Sequence, residues 1–125
     1  MQEKNRERRR VERVIFDIKE GLTAALRDIE NNNVRAHVYI LNISENGMQF
    51  TTKSSDRAPF QIEERAILSD LYSNDDKYQN LNIEIVIRWI LNPPLLKYIG
   101  IGCEFIRISD ASKGTLDKIL ASKRT

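Results

Sequence analysis

The sequence has one cysteine and one histidine among its 125 residues, and it contains no long apolar run. A single cysteine, Cys103, cannot form an internal disulfide, which agrees with a reducing compartment. No apolar stretch approaches the roughly 20 residues of a membrane span. The charged N-terminus also lacks the apolar core of a secretory signal. These absences predict a cytoplasmic protein.

The side chains that usually build catalytic or metal sites are scarce in this chain. Its strand pattern turns His37 outward, while Cys103 falls in phase with apolar neighbours, which predicts a buried thiol. Asp75 and Asp76 lie in a polar loop with no histidine or cysteine cluster beside them. Because no nucleophile–base pair and no metal-ligand spacing is visible, we expect no enzyme activity, no metal and no cofactor.

The length predicts one domain, and its charge is unevenly distributed. Residues 1–13 carry six cations and three anions, a balance of +3, which leaves 14 cations and 15 anions for residues 14–125, a balance of −1. Positive charge confined to the N-terminus favours a compact anionic partner over a long polyanion. We therefore divide the chain into a flexible arginine-rich leader, residues 1–13, and a folded domain, residues 14–125.

Alternating apolar and polar residues predict several short strands. The alternation extends over residues 14–18, 34–41, 48–52, 83–89 and 99–105. Segments 22–29 and 62–71 fit either a helix or a strand, and segments 54–61 and 73–80 are predicted loops. Trp89 is in phase with the isoleucines of its strand, so core packing is favoured over stacking on a ligand.

A helix is predicted at the C-terminus. Ser109 or Asp110 is a suitable N-cap, and Leu116, Ile119 and Leu120 form one apolar face. Several short strands followed by one terminal helix predict a mainly β fold, a small antiparallel barrel that the helix plugs or flanks.

The leader contains four closely spaced arginines, Arg8, Arg9, Arg10 and Arg13. A guanidinium fork matches a phosphate bidentately, and its flat face stacks on purine rings. Arg9 and Arg13 are four residues apart, so they share a helix face or can grip two sides of one ligand from an extended leader. Composition alone, however, favours a solvated or partner-binding tail.

A second motif, Asn42-Ile43-Ser44-Glu45-Asn46-Gly47, lies at the predicted junction of two strands. Asn42 offers an amide suited to a base edge, and Ser44 offers a hydroxyl beside free backbone N–H groups that can form an anion nest. Gly47 permits a positive φ or the close approach of a ligand. Taken alone, the motif is typical of an ordinary hairpin turn.

In this order and at this separation, the two motifs resemble those of the PilZ domain family. Arg9 and Arg13 match the arginines of its RxxxR motif. The D/NxSxxG motif of the family is matched by Asn42, Ser44 and Gly47, with the permitted Asn in place of Asp. Residues 99–105 resemble the last strand of the family.

The resemblance implies a six-stranded antiparallel β-barrel, a split barrel, with a C-terminal α-helix. It also implies that the domain binds the bacterial second messenger cyclic di-GMP. It also implies that residues 22–29 form a strand. Arg9 and Arg13 would hold phosphates and stack on guanine, while Asn42 would read a guanine edge. Ser44 would contact phosphate or base, and Gly47 would keep the turn open.

Arg8 stands immediately before the RxxxR motif, and family members with an arginine there tend to bind an intercalated ligand dimer. The predicted ligand-binding residues are Arg8, Arg9, Arg10, Arg13, Asn42, Ser44 and Gly47. We expect the ligand to order the leader and an unidentified downstream protein to read the change. The alternatives are a small nucleic-acid-binding barrel and a PilZ scaffold that acts only through protein contacts.

Overall fold

The computed structural model of the chain describes residues 14–15, 21–53, 60–73, 76–91 and 98–123. Its elements in chain order are β1 (Val14–Ile15), β2 (Thr23–Arg27), β3 (Val34–Ile43), β4 (Gly47–Lys53), β5 (Arg65–Tyr72), β6 (Lys77–Tyr78), β7 (Ile83–Leu91), β8 (Tyr98–Ile108) and α1 (Asp110–Lys123). The predicted leader, residues 1–13, lies outside the described residues.

Six of these strands close into a barrel. The hydrogen-bonded order is β3-β2-β5-β7-β8-β4, and β4 pairs back onto β3, with every pairing antiparallel. Closure removes the unpaired edges that an open sheet exposes. β1 and β6 lie outside the ring and pair with β3 and β5. The predicted six-stranded antiparallel barrel with a C-terminal helix is therefore confirmed.

Alternate side chains of the six strands fill the barrel interior. The largest fully buried side chains include Leu26, Ile40, Phe50, Leu68, Ile85 and Ile101, one from each strand of the ring. Burying an aliphatic or phenyl side chain of this size stabilises the fold by about 1.5–3 kcal/mol. The strand periodicity seen in the sequence therefore supplies the core directly.

One core residue comes from a segment predicted as a polar loop. Phe60 is only 2% exposed and meets Phe50 edge-to-face, with ring centroids 6.2 Å apart. The Arg35 guanidinium carbon lies 4.9 Å from the centre of the Phe60 ring, within cation–π range. Phe60 lies in no helix or strand, in agreement with the loop predicted for residues 54–61, but its burial was not predicted, because a single aromatic residue carries no periodicity to reveal it.

The ambiguous segments are strands. Segment 22–29 contains β2, in agreement with the family resemblance, and segment 62–71 contains most of β5. The pairing of β2 with β5 shifts register between Ala25 and Leu26, which breaks the period of two and explains the mixed sequence pattern. The predicted loop 73–80 was wrong at residues 77–78, where the short strand β6 adds to β5.

The terminal helix is capped and tied to the barrel by serines. The Ser112 N–H donates to Ser109 Oγ at 3.2 Å, so Ser109 is the N-cap. Ser112 Oγ accepts the Asn82 N–H at 2.8 Å, which ties α1 to the start of β7. Leu116, Ile119 and Leu120 form its buried face, as predicted. No helix in the described part of the chain is long and apolar enough to cross a membrane.

We predict that Ser109→Ala lowers the free energy of unfolding by about 0.5–2 kcal/mol, because it removes the acceptor for an orphan N–H of the first helical turn. Urea unfolding measures the change. Ser122→Ala is the matched control, since its hydroxyl only adds a bond to the Ile119 carbonyl of the same helix, and it should stay within about 0.5 kcal/mol of the wild type. Equal losses in the two variants would contradict the capping role.

Candidate functional site

The turn between β3 and β4 is held by its own hydrogen bonds. The Ser44 N–H donates to the Gly47 carbonyl at 2.9 Å, and the Asn46 N–H donates to Ser44 Oγ at 3.2 Å. The Ser44 side chain is fully buried. Its hydroxyl and the N–H groups of Ser44 and Asn46 therefore stabilise the turn.

The glycine of this motif is required by strand packing. Gly47 has no positive φ, contrary to one of the two roles considered from the sequence. A Cβ at this position would lie 2.3 Å from the Cys103 carbonyl oxygen on β8. The neighbouring Asn46 carbonyl accepts the Phe105 N–H at 2.8 Å. Gly47 thus lets β4 and the turn lie directly against β8.

Asn42 lies on the outer side of β3, next to the turn. The pairing of β3 with β4 shifts register between Ile40 and Asn42, so Asn42 faces Gln49 across the strands. Its Nδ2 donates to Gln49 Oε1 at 2.5 Å, and both side chains are half-buried. This bond holds the Asn42 amide in a defined orientation on the barrel surface.

A bulge on β7 turns Trp89 outward. Ile87 pairs with Cys103 and Trp89 pairs with Gly102, so Arg88 is an extra residue on β7. An extra residue reverses the inward and outward phase of the strand beyond it. Trp89 is accordingly 39% exposed. The hypothesis that Trp89 packs in the core was wrong, because it assumed an unbroken alternation.

The Trp89 indole lies against the backbone of β8. A Cβ at Gly102 would be 2.0 Å from the indole Nε1, whereas a Cβ at Gly100 would be 3.6 Å from the nearest ring atom. Only glycine at position 102 leaves room for the ring in this position. Two glycines in one strand are a sequence signal for such a close approach.

The turn, the Trp89 ring and the middle of β8 border a surface cleft of about 270 Å³. It is lined by Asn46, Gly47, Met48 and Gln49 from the turn and β4, and by Arg88, Trp89, Gly102, Cys103 and Glu104 from β7 and β8. Cys103 is buried, as predicted. The cleft therefore combines an aromatic edge, amide groups and charged side chains beside one of the predicted motifs.

Arg88 and Glu104 line this cleft, and Glu63 pairs with Arg88 from outside the lining; the three side chains form a charged wall. Arg88 Nε donates to Glu104 Oε1 at 2.8 Å, and its NH1 lies 3.1 Å from both carboxylate oxygens of Glu63. The hydrogen bond to Glu104 raises the pKa of the Arg88 guanidinium, and Glu63 adds to the effect. Sequence reasoning missed this group, because its members lie on three separate segments.

Two larger clefts occur elsewhere on the described surface, of about 420 and 460 Å³. The first contains the Arg27–Asp70 ion pair, 3.9 Å apart, and the second contains the Arg35–Glu64 ion pair. Neither contains a predicted ligand-binding residue. Among the described residues, no three histidine, cysteine or acidic side chains are grouped to hold a metal ion.

The arginines of the leader, Arg8, Arg9, Arg10 and Arg13, lie outside the described residues. The strand that follows them does not. Val14 pairs with Ile43, and Ile15 pairs with Asn42. β1 therefore runs antiparallel to the last residues of β3, immediately before the turn at Ser44.

Comparison with known proteins decides the family. The family model of the PilZ domain matches residues 7–122, a span that includes both motifs. The chain belongs to the PilZ domain family. A search of curated proteins found no match to this chain.

Solved structures with this PilZ fold are remote in sequence. The PilZ domain of YcgR from Escherichia coli, determined with c-di-GMP, has a TM-score of 0.68 at 15% identity, covering 93% of this chain and 91% of that chain. The K. pneumonia MrkH–c-di-GMP complex has a TM-score of 0.66 at 19% identity, and the match covers 90% of this chain and 50% of that chain. The Bacillus subtilis inhibitor of motility, MotI/DgrA, has a TM-score of 0.61 at 19% identity, and the match covers 92% of this chain and 52% of that chain. This chain thus spans about half of the MrkH and MotI/DgrA structures.

We predict that Gly102→Ala displaces the Trp89 ring, because the added Cβ would overlap the indole. Trp89 is the single tryptophan of the chain, so its fluorescence emission should shift to longer wavelength as the ring becomes more hydrated. The free energy of unfolding should fall by about 1–3 kcal/mol. Gly100→Ala is the matched control and should keep the wild-type spectrum. A wild-type spectrum for Gly102→Ala would contradict the stacking geometry.

Proposed function

We propose that this PilZ domain is a cytoplasmic receptor for cyclic di-GMP, with no catalytic step of its own. Family membership supports the proposal, as do the YcgR and MrkH structures, which were determined with that ligand. Cyclic di-GMP joins two guanine bases through two phosphodiesters, so its recognition needs cations for phosphate and amides or flat surfaces for the bases. The leader and the β3–β4 turn contain these groups.

The register of β1 is the observation that carries the proposal. Val14 lies opposite Ile43, one residue before Ser44. Paired Cα atoms of antiparallel strands are about 4.5–5.5 Å apart, and bonded neighbours about 3.8 Å apart. Arg13 is bonded to Val14, so the leader joins the barrel beside the turn. This supports a single site formed by the RxxxR and D/NxSxxG motifs.

The proposed roles divide between the two motifs. Arg9 and Arg13 hold phosphates and stack on guanine, and Arg8 and Arg10 add positive charge, with Arg8 suited to a second, intercalated ligand. Asn42, oriented by its bond to Gln49, reads a guanine edge.

In this assignment the other two residues act through the turn. The buried Ser44 hydroxyl keeps the turn in shape. Gly47 keeps the turn against β8, because any side chain there would meet the Cys103 carbonyl. A ligand contact by Ser44 itself would require its hydroxyl to leave the turn.

We further propose that binding orders the leader and that a downstream protein reads the result. The leader carries a balance of +3 and the remaining chain a balance of −1. Phosphates placed between them neutralise the leader and fix it against the barrel, which changes both the shape and the charge of the surface. Such a change is what a partner protein can recognise.

Calorimetry tests the ligand. The wild type should bind cyclic di-GMP with micromolar or tighter affinity. Arg13→Ala should weaken binding by roughly 10- to 150-fold, because a charge-assisted hydrogen bond contributes about 1.5–3 kcal/mol. Arg65→Ala is the matched control, an exposed arginine on β5 outside the site, and should bind as the wild type. No heat from the wild type at high concentration would favour the scaffold that acts only through protein contacts.

Amide hydrogen exchange tests the ordering of the leader. Exchange in residues 1–13 should slow when cyclic di-GMP is added, since an ordered backbone is protected, while exchange in α1 should stay constant. Tight binding with unchanged hydrogen exchange in the leader would support the receptor function but contradict the proposal that binding orders the leader. Affinity that instead grows with nucleic-acid length and falls steeply with salt would favour the polyanion-binding barrel.

A further inference from the structure

We propose that Arg88 is a further ligand-binding residue, and that Glu63 and Glu104 lower the affinity for cyclic di-GMP by competing with its phosphate for this guanidinium. The inference rests on the proposed function. It starts from the charged wall of the cleft, where a cation is held by two carboxylates beside the turn.

Strand pairing gives Arg88 and Glu104 their places in the cleft. Arg88 is the extra residue of the β7 bulge, between the pairs Ile87–Cys103 and Trp89–Gly102. Glu104 on β8 is the register partner of Gly47, the last residue of the predicted motif. The guanidinium of Arg88 is therefore on the same side of the barrel as the turn and beside the Trp89 ring.

Glu63 is held in place by its backbone. Its φ of 71° is in the left-handed region, which few residues other than glycine adopt. Two backbone hydrogen bonds fix this turn to β7: the Glu63 N–H donates to the Ile87 carbonyl at 2.7 Å, and the Ile87 N–H donates to the Glu64 carbonyl at 2.9 Å. The backbone of Glu63 is thus anchored beside the bulge that presents Arg88, and its carboxylate contacts the Arg88 guanidinium.

The charges of this wall allow a phosphate to replace a carboxylate as the partner of Arg88. One guanidinium between two carboxylates leaves a local balance of −1, which repels a phosphodiester. The side chains of Arg88, Glu104 and Glu63 are 46%, 51% and 66% exposed. Exposed ion pairs stabilise a fold little, so a phosphate that matches the guanidinium fork bidentately can replace a carboxylate.

Removing a carboxylate and removing the guanidinium should change the affinity for cyclic di-GMP in opposite directions. Glu104→Gln keeps a neutral acceptor but removes the competing charge, so cyclic di-GMP should bind about 3- to 10-fold tighter. Glu63→Gln should act in the same direction. Arg88→Gln should bind roughly 10-fold weaker, because a charge-assisted contact is lost. Arg65→Gln, which alters the Arg65–Glu84 ion pair outside this cleft, should bind as the wild type.

A double-mutant cycle separates partner exchange from a general effect of charge. If Glu104 acts by occupying Arg88, then Glu104→Gln should have no effect in the Arg88→Gln background. An equal gain in both backgrounds, or wild-type binding by Arg88→Gln, would overturn the proposal. Trp89 fluorescence of the free variants, compared with the wild type, checks that the bulge is intact.

The outcomes distinguish this proposal from the proposed function. If the wild type gives no heat with cyclic di-GMP, the receptor function fails and the role of Arg88 fails with it. If the wild type binds and Glu63→Gln and Glu104→Gln both leave the affinity unchanged, the receptor stands and only the competition by carboxylates is overturned. These two glutamate variants test the proposal even if Arg88→Gln does not fold.

Discussion

Strand β3 closes the barrel, and the other features of the molecule depend on that closure. It pairs with β4 along one side, and with β2 and then β1 along the other. The turn that follows β3 lies between β1 and the middle of β8, where Gly47 pairs with Glu104. A change that disrupted β3 would open the barrel and displace the turn.

The candidate site is formed where strand pairing is irregular. The shift between Ile40 and Asn42 brings Asn42 opposite Gln49, and the extra residue Arg88 turns Trp89 onto Gly102. A bulge costs a ladder position but redirects side chains that a regular strand would bury. The surface groups of the cleft are therefore oriented by the backbone.

Two levels of electrostatics act at this surface. The leader carries a sequence-encoded excess of positive charge, which attracts an anion before contact. The wall of the cleft is different, because Glu63 and Glu104 together outweigh Arg88. In the receptor that we propose, the leader would add to the affinity for cyclic di-GMP and the wall would reduce it, which favours reversible binding.

The sequence alone was sufficient for elements whose cause is local. Regular alternation identified the strands around Val38 and Ile85, and an N-cap serine with an apolar face identified α1. The ordered motifs were sufficient to indicate the family. Only the tertiary structure decided that Phe60 is buried, that Gly47 serves the contact with Cys103 and that Trp89 faces outward. The physical reason is that a bulge or a close approach depends on the partner strand, which lies far along the chain and leaves no period in the sequence.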